Sequence, residues 1–67
     1  MFEISKDLSW QVRKKRALLR LTISEVASEM GISRQTLRKI ESEELKKTTK
    51  TVFVKVTNWL LEEQEVI

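Results

Sequence analysis

The segment from Leu21 to Glu41 contains two helix starts separated by the only glycine of the chain, and the chain has no proline. Thr22 fits the N-cap of one helix, and Glu25 three residues later completes a capping box. Gly31 falls where that helix needs a left-handed residue to end, and Ser33 fits the cap of a second helix. The segment therefore predicts two helices joined by a very short turn.

Apolar residues form a stripe on each of these two helices. The first stripe repeats at i, i+3, i+4 and i+7, and the second has apolar positions three apart; the residues are Ile23, Val26, Ala27, Met30, Leu37 and Ile40, with Ile32 in the turn. We expect the two stripes to pack against each other, with the small Ala27 allowing the steep crossing of a helix-turn-helix. The other face of the second helix is polar.

This segment resembles the helix-turn-helix of the XRE or Cro/C1 family, to which many phage and plasmid repressors belong. The residues that fit the family pattern are Leu21, Thr22, Val26, Ala27, Gly31, Ile32, Ser33, Leu37, Ile40 and Glu41. Looser similarity extends back to Val12 and Arg16 and forward to Phe53, Val56 and Leu60. The resemblance implies an all-α, lambda-repressor-like fold, a compact bundle of four to five helices. In relatives, an arginine at the position of Arg16 pairs with the glutamate ending the recognition helix, here Glu41, so it also implies a structural ion pair.

The polar face of the second helix is the predicted DNA-reading surface. Arginine and lysine side chains bond guanine O6 and N7, and glutamine bonds adenine N6 and N7. We predict base contacts from Ser33, Arg34, Gln35, Arg38 and Lys39. Phosphate contacts are predicted for hydroxyls near helix starts and for lysines where relatives grip the sugar-phosphate backbone, namely Thr22, Ser24, Thr36, Lys46, Lys47 and Lys50.

Three positions depart from the family pattern. Ile23 stands where the family usually has a glutamine that touches phosphate, so that DNA contact is not expected here. Arg20 replaces the glycine that many relatives have after the first helix. Ser42 and Glu43 replace the frequent Asn-Gly after the glutamate. Only the first departure removes an expected contact, and none changes the recognition surface.

Composition narrows the class of protein. Sixty-seven residues predict one domain, 1–67, and the absence of cysteine and histidine excludes disulfides, thiolate zinc sites and imidazole catalysis. The adjacent carboxylates Glu43–Glu44 and Glu62–Glu63 do not face each other on a helix. We therefore predict no metal, no cofactor, no small-molecule ligand and no enzymatic activity. No membrane-spanning run or signal-peptide pattern is visible, and a cytoplasmic place in a bacterial or phage-infected cell is expected.

Charge is distributed unevenly along the chain. The net charge is +3, but residues 1–40 hold nine basic and four acidic side chains, whereas residues 41–67 hold four basic and six acidic ones. A basic front half with an acidic end is the arrangement expected when one face meets phosphate. The charge pattern therefore agrees with the motif in predicting a double-stranded DNA partner.

The segments outside the motif leave some choices open. Residues 1–7 are predicted to be a short extended or frayed arm, in which Phe2 and Ile4 alternate with polar residues and could pair as a strand or pack on a partner. Ser9 is predicted to cap the first helix. Residues 51–57 read as strand or helix, because Val52, Val54 and Val56 alternate within a longer helical stripe that includes Phe53, Trp59 and Leu60. We favour the helix, with Thr49 as its cap.

Association is predicted because apolar residues fall outside the inward stripes. Trp59 fits either the core or a dimer interface, and the predicted dimer set is Val54, Trp59, Leu61, Val66 and Ile67, with residues 62–67 as a candidate contact tail. The predicted function is a sequence-specific transcriptional regulator, a repressor that occupies an operator as a homodimer. Two alternatives stay open: a protein-binding antirepressor with the same fold, and an architectural or recombination-accessory DNA-binding factor.

Overall fold

The computed structural model describes residues 2–62, which form four helices and two short strands. The helices are α1 (Lys6–Leu19), α2 (Ile23–Met30), α3 (Arg34–Glu41) and α4 (Lys50–Leu61), and the strands are β1 (Phe2–Glu3) and β2 (Lys47–Thr48). The predicted compact all-α fold is present with four helices in this part of the chain. Of the two alternatives left open for Phe2, strand pairing is the one observed, whereas its partner strand β2 was not predicted. None of the helices described in residues 2–62 is both long and apolar enough to cross a bilayer.

The helix-turn-helix has the caps that the sequence predicts. Thr22 and Glu25 form both bonds of a capping box at the start of α2. Gly31 ends α2 with φ +77°, where a side chain would be strained, and Ser33 caps α3 by accepting a bond from the Thr36 amide. These three helix boundaries, the start and end of α2 and the start of α3, are confirmed.

The start of α1 differs from the prediction. Ser5 is the N-cap and accepts a hydrogen bond from the Leu8 amide at 3.0 Å, so the helix begins at Lys6. Ser9, the predicted cap, lies one turn inside the helix and is only 1% exposed. The helix ends at Arg20 in the left-handed region, with φ +56°. Several serines precede an apolar stripe here, and only the packing of the N-terminal segment selects the earlier one.

The predicted arm is part of the folded domain. Phe2 and Glu3 pair antiparallel with Thr48 and Lys47, and the Ile4 amide donates to the Lys46 carbonyl at 2.8 Å. Ile4 is buried, and the Phe2 ring stacks on Phe53 with centroids 5.0 Å apart. Residues 2–4 therefore attach the connection between α3 and α4 to the rest of the domain.

The core lies where all four helices meet. Its fully or nearly fully buried apolar side chains are Ile4, Val12, Val26, Ala27, Met30, Leu37, Ile40, Val56 and Trp59. Residues 50–61 form a helix capped by Thr49, which confirms the favoured alternative for this segment. Its stripe buries Val56 and Trp59 because a helix places residues three or four apart on one face.

Trp59 belongs to this core, so its predicted place in a dimer interface is wrong. Its side chain is 1% exposed, its indole Nε1 donates to Glu29 Oε1 at 3.1 Å, and the Lys15 ammonium lies 4.6 Å from the ring centroid. Of the other predicted dimer residues, Val54 is 39% exposed and Leu61 is 81% exposed, while Val66 and Ile67 lie outside the described residues. Large aromatic side chains contribute most when they fill a core, which is the role Trp59 has here.

Replacing Ser9 with alanine is expected to stabilise the protein. Its hydroxyl is buried and has no hydrogen-bond partner among the described residues. Folding therefore removes the hydroxyl from water without replacing its hydrogen bonds, which lowers the stability of the folded state. We expect Ser9→Ala to raise the free energy of unfolding by about 1–2 kcal/mol, measured by urea denaturation. Ser28→Ala, at an exposed position in α2, is the control and should gain only about 0.5 kcal/mol from helix propensity. Equal gains from the two variants would show that burial of the Ser9 hydroxyl does not destabilise the protein.

Candidate nucleic-acid interface

The outer face of α3 is made of side chains that the fold leaves exposed. Leu37 and Ile40 are completely buried on the inner face, which fixes the rotation of the helix about its axis. Arg34, Gln35, Arg38 and Lys39 are consequently exposed on the other side. The structure therefore brings together four of the five residues predicted to contact bases, at the front and middle of one short helix.

Most of these side chains have no partner within the domain. Among residues 2–62, the side chains of Gln35, Arg38 and Lys39 form no hydrogen bond or ion pair. Arg34 makes one long bond, from Nη1 to Ser24 Oγ at 3.4 Å, which joins the starts of α3 and α2. Polar side chains in a core are usually hydrogen-bonded or paired. The exposed side chains of Gln35, Arg38 and Lys39 are not, so their donors and acceptors are available to an external ligand.

Ser33 and Thr36 form a small network at the start of α3. The Ser33 hydroxyl accepts from the Thr36 amide at 3.1 Å and donates to Thr36 Oγ1 at 2.8 Å. Because the Ser33 hydroxyl donates its hydrogen to Thr36, its main role is that of a helix cap. The hydroxyl hydrogen that stays available for another partner is that of Thr36. Thr36 therefore fits the predicted phosphate contact better than Ser33 fits a base contact.

Arg16 and Glu41 fix the far end of α3. Arg16 Nε donates to Glu41 Oε2 at 2.8 Å and Nη2 donates to Oε1 at 2.9 Å, a two-pronged pair with the carboxylate. Nη1 donates to the Leu21 carbonyl at 3.2 Å. The Glu41 side chain is 8% exposed and that of Arg16 is 29% exposed. One guanidinium therefore connects α1, the end of α3 and the loop before α2.

The pair also keeps Arg16 charged. The hydrogen bonds that Arg16 donates to Glu41 raise the pKa of Arg16, partial burial opposes them, and the negative charge of Glu41 adds to the increase. A raised pKa in a base means that the stabilising contribution is present below its unfolded pKa and is lost only as pH rises through the folded one. The contribution of Arg16 to stability is therefore present at neutral pH.

The start of α2 is already occupied by its own carboxylate. Glu25 Oε1 accepts from the Thr22 amide at 2.9 Å, and the Thr22 hydroxyl accepts from the Glu25 amide at 3.1 Å. The bond from the Thr22 backbone, followed by that of its side chain, lowers the pKa of Glu25. Its contribution is thus present at neutral pH and is lost as pH falls through that lowered pKa. The Thr22 hydroxyl is therefore engaged with Glu25, and the Ser24 Oγ accepts the bond from Arg34.

The three predicted phosphate-binding lysines are exposed but do not share a single setting. Lys47 lies in β2 directly opposite Glu3. Lys46 and Lys47 line a groove together with Glu3, Ile4, Lys6 and Glu43, and no residue of α3 lines it. Lys50 begins α4. Because acidic side chains stand among them, the positive charge at this end is less concentrated than the lysine count suggests.

Lys55 is a positioning residue that the sequence did not reveal. Its Nζ donates to the Gly31 carbonyl at 3.1 Å and lies 3.6 Å from where a Cβ on Gly31 would stand. The bond satisfies a carbonyl at the end of α2 and ties α4 to the turn that aims α3. Nothing in the sequence separates Lys55 from other lysines. Ile23, by contrast, packs against the core, which explains why an apolar residue is tolerated at the usual glutamine position.

Comparison with known families agrees with this geometry. A family model described as helix-turn-helix matches residues 12–57, which is more than half of the chain. The chain therefore belongs to this helix-turn-helix family, of the XRE or Cro/C1 type. Membership supports a DNA-binding regulator. Neither a curated protein nor a solved structure matches the chain.

Proposed function

We propose that this protein is a sequence-specific transcriptional repressor that inserts α3 into the major groove of an operator. The observation that carries the proposal is the exposed, unpaired outer face of α3, where Gln35 and Arg38 keep all their side-chain hydrogen-bonding groups. A bidentate side chain on a base edge provides about 1–3 kcal/mol of discrimination between bases. Arg34 and Lys39 extend the same surface, and the Ser33–Thr36 cap brings the helix start near a phosphate.

Repression follows from occupancy in this proposal. A small domain bound across an operator excludes polymerase or another regulator from the same DNA. A single α3 reads only a few base pairs, so we further propose a homodimer on two half-sites, with Val54 and Leu61 as exposed apolar contacts. Dimer symmetry would then be matched by a palindromic operator.

Footprinting over the DNA upstream of the gene itself tests the proposal. We expect two protected half-sites whose centres lie about 10 base pairs, one helical turn, or a multiple of it, apart. A single protected half-site would contradict the dimer while leaving DNA reading intact. Phased multiple sites with bending would favour the architectural alternative, and the absence of any protection would favour the antirepressor.

Lys47→Ala is expected to weaken DNA binding without changing sequence preference. A lysine on phosphate contributes through counterion release, so its loss should reduce the salt dependence of log K by about one unit of slope. We expect equal losses on operator and random duplex in a fluorescence-anisotropy titration at several salt concentrations. Lys14→Ala, on the outer side of α1, removes the same charge and should leave the slope unchanged. An unchanged slope for Lys47→Ala would remove this residue from the interface.

A further inference from the structure

A groove between α1 and α4 is unrelated to the surface described above. It has a volume of about 360 Å³ and is lined by Trp10, Gln11, Lys14, Lys15, Leu18 and Leu60. None of these residues belongs to α2 or α3, so DNA on the outer face of α3 neither needs nor fills this groove. We call it the α1–α4 groove.

The apolar side chains of the groove are more exposed than folding requires. Trp10 is 52% exposed and Leu18 is 69% exposed, and with Lys14 they stand four residues apart along one side of α1. Val12, on the opposite side of the same helix, is completely buried. The core of the domain therefore does not explain Trp10 and Leu18, and exposed apolar side chains grouped around a concave surface mark a binding site.

The charged side chains that line the groove, Lys14 and Lys15, are both positive. Lys14 lies over the Trp10 ring, with Nζ 4.9 Å from the centroid, and it forms no salt bridge with a carboxylate of residues 2–62. Lys15 donates to the Trp59 carbonyl and, at 2.8 Å, to the Glu62 carbonyl, so its ammonium is held at the lip of the groove. Within residues 2–62 no carboxylate lines the groove, although Gln11, which does line it, donates to the Asp7 carboxylate at 2.8 Å. A ligand that complements it must combine negative charge with apolar surface.

We propose that the α1–α4 groove binds an acidic peptide segment with apolar side chains, supplied by another protein. The apolar side chains of the segment would pack between Trp10, Leu18 and Leu60, with a carboxylate directed at the Lys14 ammonium. A second copy of this chain fits less well, because two-fold pairing of the groove would oppose lysines of like charge. The inference goes beyond the proposed function and adds a protein partner to a DNA-bound regulator.

The test uses the full chain, isotopically labelled, and a blocked twelve-residue peptide in which glutamates alternate with leucines. We expect amide shift changes along the outer side of α1 and the end of α4. Lys14→Glu should weaken binding about tenfold or more, since it reverses a charge at the site. Lys39→Glu makes the same charge change on α3 and is the matched control, for which binding should stay near the wild-type value. Trp10→Ala, at an exposed position, tests the apolar contact separately and should also weaken binding.

Five outcomes would overturn the proposal. Shift changes centred on α3, or equal losses for Lys14→Glu and Lys39→Glu, would mean that the peptide only follows the overall positive charge. Equal binding of a peptide with glutamine for every glutamate would remove the acidic requirement. Self-association that Leu18→Glu abolishes, seen by sedimentation, would assign the groove to a second copy. Tighter binding to vesicles with anionic lipid than to the peptide, lost in Trp10→Ala, would assign it to a membrane.

Discussion

Replacing Arg16 with alanine is expected to lower the free energy of unfolding by about 2–3 kcal/mol, because it leaves the Glu41 carboxylate buried without a partner. The value lies below the full cost of breaking a buried pair since the Arg16 side chain is 29% exposed and solvent screens part of the interaction. Urea denaturation followed by circular dichroism measures the change. The same variant should weaken operator binding, because Arg16 holds the end of α3 against α1.

Two control variants separate the loss of the Arg16–Glu41 ion pair from the loss of one positive charge. Arg13→Ala removes an arginine of the same helix that forms no ion pair within residues 2–62. It should change the free energy of unfolding by at most about 0.5 kcal/mol. Arg16→Lys keeps the charge but loses the two-pronged geometry and should fall between the two. If Arg16→Ala costs no more than Arg13→Ala, the pair does not hold α3 in place.

Arg38→Ala and Gln35→Ala are expected to weaken operator binding by roughly 10- to 100-fold each, which corresponds to about 1–3 kcal/mol per base contact. Both side chains are exposed and unpaired on α3, so their loss should leave the folded state unchanged. Binding to random duplex should change less than binding to the operator. Selection of bound sequences should show relaxed preference at one base pair for each variant.

Comparing binding to operator and to random DNA shows whether a side chain contacts bases or only attracts the phosphates. Gln35→Ala is the more informative variant because glutamine carries no net charge, and its loss cannot act through phosphate attraction. Lys14→Ala serves as the charge control for Arg38→Ala, because Lys14 lies on α1 and lines no part of the α3 surface. Equal losses on operator and random duplex for Gln35→Ala would contradict direct readout.

The helix-turn-helix could be predicted in detail because its signals are local. The capping box of Thr22 and Glu25, the left-handed Gly31 and the Ser33 cap each depend on residues within four positions of one another. The periodic stripe likewise identified α4 as a helix despite its β-branched residues, since burial of Val56 and Trp59 outweighs intrinsic preference. Such signals are present in the sequence before any long-range contact forms.

Features that depend on distant contacts could not be predicted in the same way. The β1–β2 pair joins residues more than forty positions apart, and two-residue strands carry almost no periodicity of their own. Ser5 rather than Ser9 caps α1 because the N-terminal segment packs on Phe53 and pairs with β2. Arg20 adopts a left-handed backbone without glycine, which local preference argues against.

The candidate site shows the same division. The exposed set on α3 followed from the apolar stripe opposite it, and the family resemblance supplied the pairing of Arg16 with Glu41. Lys55 on the Gly31 carbonyl and Lys15 on the end of α4 were not foreseen, since a lysine side chain is long and its partner depends on the tertiary fold. Of the two places predicted for Trp59, the core is the one it occupies, where Lys15 of α1 lies over its ring and its indole is bonded to Glu29.

The most direct measurement is amide and side-chain shift mapping of the labelled protein with a duplex taken from the footprinted DNA. We expect the largest changes on residues 33–39, including the Gln35 side-chain amide and the Arg38 guanidinium, with smaller changes near Thr22 and Ser24. We also expect the α1–α4 groove to stay unperturbed by DNA. Changes concentrated on α1 and α4, with α3 unaffected by saturating duplex, would contradict the claim that the outer face of α3 reads DNA.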